Sequence, residues 1–331
     1  SGNTIFGYLA GAAIASGGVD NTLIGHNAGE AITVGDDNVA IGRLALATDD
    51  VGDYSVAVGA YALGLQNISS EGTTGNVGIG YGTGYRNVTG TNNTHVGYQA
   101  GTGGTGSNSN NTSVGKDALA AVTTGSSNNV FGNVAGDALT TGSDNVFIGS
   151  QSGGATTDVD KATLVGHNAG AANLTSAADG TVAVGNNALA ALTSGERNTA
   201  VGFETLKVEV TGDRSTALGY KALTAQTGTD GQANNTALGH QAGLAITTGL
   251  RNTIIGSNTG NAFDAETDNI FIGYAAAEGA INGADKCVVV GNNAFPGAAT
   301  QDGTIAIGHQ SLAALTSGEG NTAVGYQALD A

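Results

Sequence analysis

The sequence predicts an all-β chain folded as a parallel β-solenoid (a β-roll or β-helix), rod-shaped, with about 19 coils of a 17-residue repeat. Three observations lead there. One nine-residue phrase recurs throughout, as NTLIGHNAG from Asn21, NTAVGFETL from Asn198, NTALGHQAG from Asn235 and NTAVGYQAL from Asn321. The spacing of the phrase is nearly constant. Its apolar residues form short β-branched runs bounded by Gly, Asn, Asp and Ser, which is the chemistry of strands ended by turns.

Aligned on the glycine of the phrase, the chain holds nineteen copies, from Gly7 to Gly325, and twelve of the eighteen spacings are 17 residues. The repeat leaves no linker, so residues 1–331 read as one continuous solenoid domain. The columns of the alignment assign the positions. Four residues before the glycine stands Asn in thirteen copies, among them Asn21, Asn38, Asn198, Asn252 and Asn321. Stacked coils would place these amides about 4.8 Å apart, close enough for a ladder. The residue just before the glycine is always apolar, as in Ile24, Ile41, Val201, Ile255 and Val324, and reads as an inward core column. Three residues after the glycine the side chain is always small, and four after it is Gly in nine copies and Leu in eight. The segment after the glycine, as in ALAALTSGE at 188–196, has some helical propensity. Its recurring Thr, Ser and Gly, and the short repeat, favour two short strands and two turns per coil. Nineteen such coils would make a rod of roughly 90 Å.

Composition narrows the function. The 331 residues include 57 Gly, one Pro, no Met and no Trp, with 40% apolar and 11% charged residues. The core is therefore thin and built from small side chains. A net charge of −17 disfavours nucleic acid and anionic membrane surfaces, since phosphate binding needs Lys and Arg. No apolar run reaches the roughly 20 residues that span a bilayer, so membrane insertion is not expected. The single Cys287 makes no intrachain disulfide and, standing in the Asn column, reads as a buried inert thiol.

The phrases NTAVG at 198–202 and 321–325, TVAVG at 181–185 and TIAIG at 304–308 resemble repeats of phage tail-fibre-like proteins and large bacterial surface proteins. They are also similar to the head repeats of YadA-type trimeric autotransporter adhesins. The resemblance implies a trimeric parallel β-roll used in adhesion or as a fibre shaft. This chain departs from that pattern in its longer period and in lacking a heptad stalk, a membrane anchor and an intramolecular chaperone.

Several side chains are candidates for chemistry. His26, His167, His240 and His309 directly follow the repeat glycine, in a column where Tyr stands in six copies. Several coils apart, they read as surface or intercoil packing, or as a lateral or glycan-binding face. Acidic turns at 35–37, 49–53 and 157–161 could take calcium but lack the Asp spacing of known calcium loops, so they read as solvated turns. The glycine-rich stretches at 78–84 and 101–106 lack the strand and helix of a phosphate loop. Sequons begin at Asn67, Asn87 and Asn173. No catalytic set emerges, and neither an enzyme nor a cofactor is expected.

No cap is apparent at either end. The residues Asn3, Thr4, Ile5 and Phe6 at one end, and Tyr326, Gln327, Ala328 and Leu329 at the other, supply the parts of one split coil. They are the expected subunit–subunit ends of a head-to-tail filament. The function expected is thus an extracellular or cell-surface structural fibre that assembles with itself, head to tail or as a homotrimer, and adheres to a surface glycan or receptor. A shaft or receptor-binding segment of a tail fibre or trimeric adhesin is the alternative.

Overall fold

The computed structural model describes residues 2–15, 17–69, 72–228, 231–279, 283–297, 302–315, 318 and 320–330. Its contacts divide the chain into two compact units, Ser1–Ala162 and Thr163–Ala331, and each unit is a parallel β-solenoid. Among the described residues there is no α-helix. A single 3₁₀ turn covers Ser176–Ala178.

Each coil contributes a three-residue strand that ends just before the repeat glycine. Thr22–Ile24, Val39–Ile41 and Val56–Val58 are three of the nine in the first unit, and Val182–Val184, Thr199–Val201 and Thr216–Leu218 three of the ten in the second. Neighbours pair in parallel and in register. Thr22, Leu23 and Ile24 lie opposite Val39, Ala40 and Ile41, and Val182, Ala183 and Val184 opposite Thr199, Ala200 and Val201. Insertions between copies do not disturb the pairing, because they fall in the turns. Val56–Val58 still pairs with Val77–Ile79 across the longest spacing.

The repeat glycine is fixed by stacking. Its φ lies between 130° and 148° in all nineteen copies, a region that L side chains avoid. A Cβ on Gly202 would stand 2.3 Å from the carbonyl oxygen of Gly219, and one on Gly25 2.7 Å from that of Gly42. Both the dihedral and the intercoil contact therefore exclude any other residue.

Among the described residues most coils lack the second strand expected. After the glycine the chain runs through consecutive turns, because the residues two and four positions on have positive φ in every copy. Leu44 and Leu46 stand at 57° and 48°, and Glu204 and Leu206 at 53° and 48°. Extended backbone cannot continue through such residues. Among the described residues, additional strands form beside the longer coils, where Gly52–Asp53 pairs with Gly72–Thr73 and Gly212–Asp213 with Gly231–Gln232.

The core column is also not the one expected. In a three-residue strand only the central side chain points inward, so the core holds Leu23, Ala40, Ala200, Ile254 and Phe271, two positions before the glycine. Ile24, Ile41, Val201, Ile255 and Val324 lie one step later and face outward. Ile24, Val201 and Ile255 are half-buried, and Ile41 and Val324 are exposed. Their constancy reflects the ladder of like side chains they form along the sheet face, and not burial in the coil.

The inward column is packed against the residues three and four after the glycine, and in most coils the two sides compensate in size. Gly78 with Gly84 and Ala237 with Gly243 are both small, with side chains of adjacent coils filling the level, and Val289 with Phe295 are both large. Where the strand offers Leu23, Phe147, Leu164 or Ile254, the fourth residue is Gly29, Gly153, Gly170 or Gly260. Where it offers Ala40, Ala57, Ala183, Ala200 or Ala217, the partner is Leu46, Leu63, Leu189, Leu206 or Leu223. A left-handed leucine costs about 1–2 kcal/mol. Full burial of its side chain contributes roughly 1.5–3 kcal/mol, enough to hold it there.

Candidate functional site

The Asn column becomes a staple between coils. The amide N–H of Asn38 donates to Asn21 Oδ1 (2.9 Å), and that of Asn252 to Asn235 Oδ1 (2.8 Å). The side-chain Nδ2 then donates to a carbonyl of the next coil, Asn21 to Gly35, Asn38 to Gly52, Asn198 to Gly212 and Asn252 to Glu266, at 2.7–2.8 Å. Asn321 turns its Nδ2 to Gly318 O of its own turn. Every polar atom of a buried Asn such as Asn38 is thus used, which is what allows an amide to stand in the core.

Two places in the column carry Ser, and the structure builds the same device at each. Beside Ser55, Gln66 Nε2 donates to Ser55 Oγ (3.0 Å) and to the carboxylate of the buried Asp49, while its Oε1 accepts from Asn76 Nδ2 (2.9 Å). Beside Ser215, Gln226 does the same with Ser215 Oγ (2.9 Å), Glu209 (2.5 Å) and Asn235 (2.9 Å). Burial pushes the Asp49 carboxyl above its ordinary value. Both sets hold in place the longer coils of their units. Nothing in the spacing of single residues announced them, but the paired signature of a missing Asn and an inserted Gln was there to be read.

The acidic turns carry a second staple. Val19 N–H donates to Asp36 Oδ1 and Asp36 N–H to Asp53 Oδ1, each at 2.8 Å, and the pattern recurs with Asp160, Asp213, Asp285 and Asp302. Among the described residues no group of three His, Cys, Asp or Glu side chains is arranged to hold a metal ion. Cys287 is buried, with its thiol raised by desolvation and its N–H on Asn269 Oδ1. Of the sequons, Asn87 is buried in a turn of its own, its Oδ1 accepting from Gly90 N–H, while Asn67 and Asn173 are exposed. Three of the four histidines of the Tyr/His column stack on aromatic neighbours one coil away, His26 on Tyr8, His240 on Tyr220 and His309 on Tyr326, with centroids 5.1–5.6 Å apart, while His167 is exposed. The fifth, His95, lies in the core column, hydrogen-bonded through Nδ1 to Ser113 Oγ (2.8 Å).

Of the expected end residues, Ile5 and Phe6 are exposed along with Thr4, and so are Tyr326, Gln327 and Leu329; Asn3 and Ala328 are half-buried. Asn3 Oδ1 accepts from Asn21 N–H (2.8 Å) as the first staple.

A surface pocket lies in the first unit. It is open, has a volume of about 340 Å³ and is lined by Tyr61, Tyr81, Tyr85, Arg86, Gln99 and Thr102 around Gly82. Tyr61 meets Tyr81 and Tyr85 edge-on (5.8 and 5.9 Å, interplanar 78° and 87°), and Tyr81 stacks on Tyr98 (5.4 Å, 12°). Arg43 lies over Tyr61 with its guanidinium carbon 4.4 Å from the ring centroid. Among the described residues no helix is long and apolar enough to cross a membrane. Compared with known proteins, the chain matches no family model, no curated protein and no solved structure.

Proposed function

We propose that the chain is a structural, fibre-building protein whose copies pack side by side through the outward face of the β-sheet. The observation that carries this reading is the composition of that face. Two columns point outward from the strands, one of Thr, Val or Ile with Asn129 as the exception and one of Val, Ile, Leu or Phe, and Ile41, Ile79, Phe131, Ile148, Leu218 and Leu238 are each more than a third exposed. A ladder of exposed β-branched and aromatic side chains along a solenoid is a contiguous apolar stripe of the kind that serves as an interaction surface. A second copy offers the same spacing of side chains from coil to coil, so like faces interdigitate. Three copies about a shared axis is the arrangement implied by the tail-fibre and adhesin resemblance, with the fibre standing outside the cell or on a virion.

End-to-end growth is the second reading. Thr4–Phe6 exposes all three residues, and Thr322–Val324 exposes Thr322 and Val324. Laid in the register used elsewhere, the two strands would put Thr on Thr and apolar on apolar.

Sedimentation and electron microscopy of the chain, beside the triple variant Ile41→Asp, Ile79→Asp and Ile148→Asp, test both. The expected result is a particle of three times 32.1 kDa that falls to one chain in the variant with its β-sheet circular dichroism intact. A wild-type chain that sediments as a monomer at micromolar concentration overturns the lateral reading. Filaments that persist in the variant would establish end-to-end growth in its place.

A further inference from the structure

We infer that the pocket around Gly82 is a binding site for an acidic saccharide, a pyranose carrying a carboxylate. The pocket follows from one missing side chain. Two positions after the repeat glycine every coil has a left-handed residue, and in this part of the first unit the column reads Tyr61, Gly82, Gln99. A Cβ on Gly82 would touch only Gln99 Cγ, at 3.8 Å. The side chains above and below are therefore separated by an empty level, and that level is the pocket.

Its walls have a definite chemistry. Tyr81 and Tyr85 both stand nearly perpendicular to Tyr61, and the remaining side chains are polar, with no aliphatic residue in the lining. Such walls suit a ring with an apolar C–H face and a hydroxylated rim better than they suit a purely apolar guest. Thr102 Oγ1 is already committed as a donor to carbonyls (2.7 Å to Gln99 O) and keeps its lone pairs to accept from a hydroxyl. The Gln99 side chain offers both a donor and an acceptor.

The charge distribution selects an anion. Residues 1–162 contain four Lys and Arg in a chain of net charge −17. Three of them gather here: Arg43 over Tyr61, Arg86 in the pocket lining, and Lys116 at 6.0 Å from the Tyr98 ring centroid. Lys116 is paired with Asp117. Arg43 and Arg86 form no ion pair among the described residues. An unpaired guanidinium at the rim of an aromatic pocket is matched to a planar carboxylate. None of the lining residues belongs to the two outward columns of the sheet face, so the site stands apart from the lateral packing proposed above.

The test is a screen of immobilised acidic and neutral glycans, followed by calorimetry with oligogalacturonate and its methyl ester, which keeps the ring and removes the charge. Gly82→Gln fills the level with the residue that the same column carries at Gln99, Gln151 and Gln241, at φ of 52–58° against 63° for Gly82, so the fold tolerates it. The expected results are binding of at least one acidic glycan on the array and its loss in Gly82→Gln. Arg86→Gln should weaken the acid by about tenfold or more while leaving the ester unchanged. Silence of every acidic glycan overturns the proposal, as does binding that survives Gly82→Gln. An ester that binds as tightly as the acid would overturn the assignment of the charge.

Discussion

The coil around His95 and the coil around Ala200 use the same register of the same repeat and fill it in opposite ways. In the first, the inward strand residue is the large His95, and Gly101 stands opposite; a Cβ on Gly101 would lie 2.3 Å from the imidazole ring. In the second, the strand residue is Ala200 and the opposite position holds the buried Leu206. The backbone φ at the two facing positions is left-handed in both, 56° at Gly101 and 48° at Leu206. In these two coils, as in most, a large residue on one side is matched by a small one on the other, and where both are small, as at Gly78 with Gly84, side chains of the adjacent coils fill the level. The contents differ in polarity as well as size, so the two coils should respond differently to mutation and to pH.

Breaking that match has the largest effect. Leu206→Gly opens a cavity in the second unit and should cost about 2–5 kcal/mol or more. Ala200→Leu alone overfills the same space, at about 1–3 kcal/mol. The double variant Ala200→Leu with Leu206→Gly reproduces the pairing of Leu164 with Gly170 and should recover more than half of the summed loss. Urea unfolding, read beside hydrogen exchange at residues 199–206, measures all three. Losses that simply add in the double variant would dissolve the comparison.

That matching is present in the sequence as a relation between two columns. Period, parallel stacking and the Asn staple were legible because each depends on one column that hardly varies. The alternation of Gly with Leu four residues after the glycine needed two columns to be compared, Leu23 with Gly29 and Ala40 with Leu46. The core column itself was misplaced by one residue. Ile24 and Ile41 are constant and apolar, whereas the true core residues run from Gly78 through Ser113 to Phe271, and variability hid them. The pocket was less legible still. GIGYGTG at 78–84 echoes a phosphate-binding loop, and only the stacking of Tyr61, Gly82 and Gln99 in one column turns Gly82, the glycine after Tyr81, into an opening.

The polar core of the first unit sharpens the comparison through pH. Burial lowers the His95 imidazole to about 4 from an ordinary 6.5, and its Nε2 has no hydrogen-bond partner. The unfolded chain therefore binds a proton that the folded chain refuses. Stability is fully present above pH 6.5 and is lost as the pH falls toward 4, by roughly 3 kcal/mol in all. Replacing His95→Val with Ser113→Ala removes both buried polar partners and gives the column residues it carries elsewhere, as at Val130 and Ala183. The melting temperature of this variant should hold between pH 6.5 and 4 where that of the wild type falls. Parallel curves would mean that the imidazole titrates normally.

The smallest effect separates the two carboxylate sets that stand in for missing asparagines. Glu209 Oε1 reaches back to accept from Val210, Thr211 and Gly212 N–H at 2.7–3.2 Å. The shorter Asp49 accepts from Gly52 and Ile68 N–H at 3.3 Å each, and desolvation raises its carboxyl above the ordinary 3.8. A carboxyl raised by folding stabilises most when protonated, below the unfolded value, and that contribution is lost as the pH rises through the folded value. At neutral pH the ionised Asp49 is thus a cost that the extra methylene of Glu relieves by supplying the third amide. Asp49→Glu should raise the melting temperature at pH 7 by a few degrees or less, with the gain shrinking as the pH falls toward 4. Glu209→Asp should do the reverse. A gain independent of pH would place the difference between the two sets in packing, with amide hydrogen bonding to the charge contributing nothing to it.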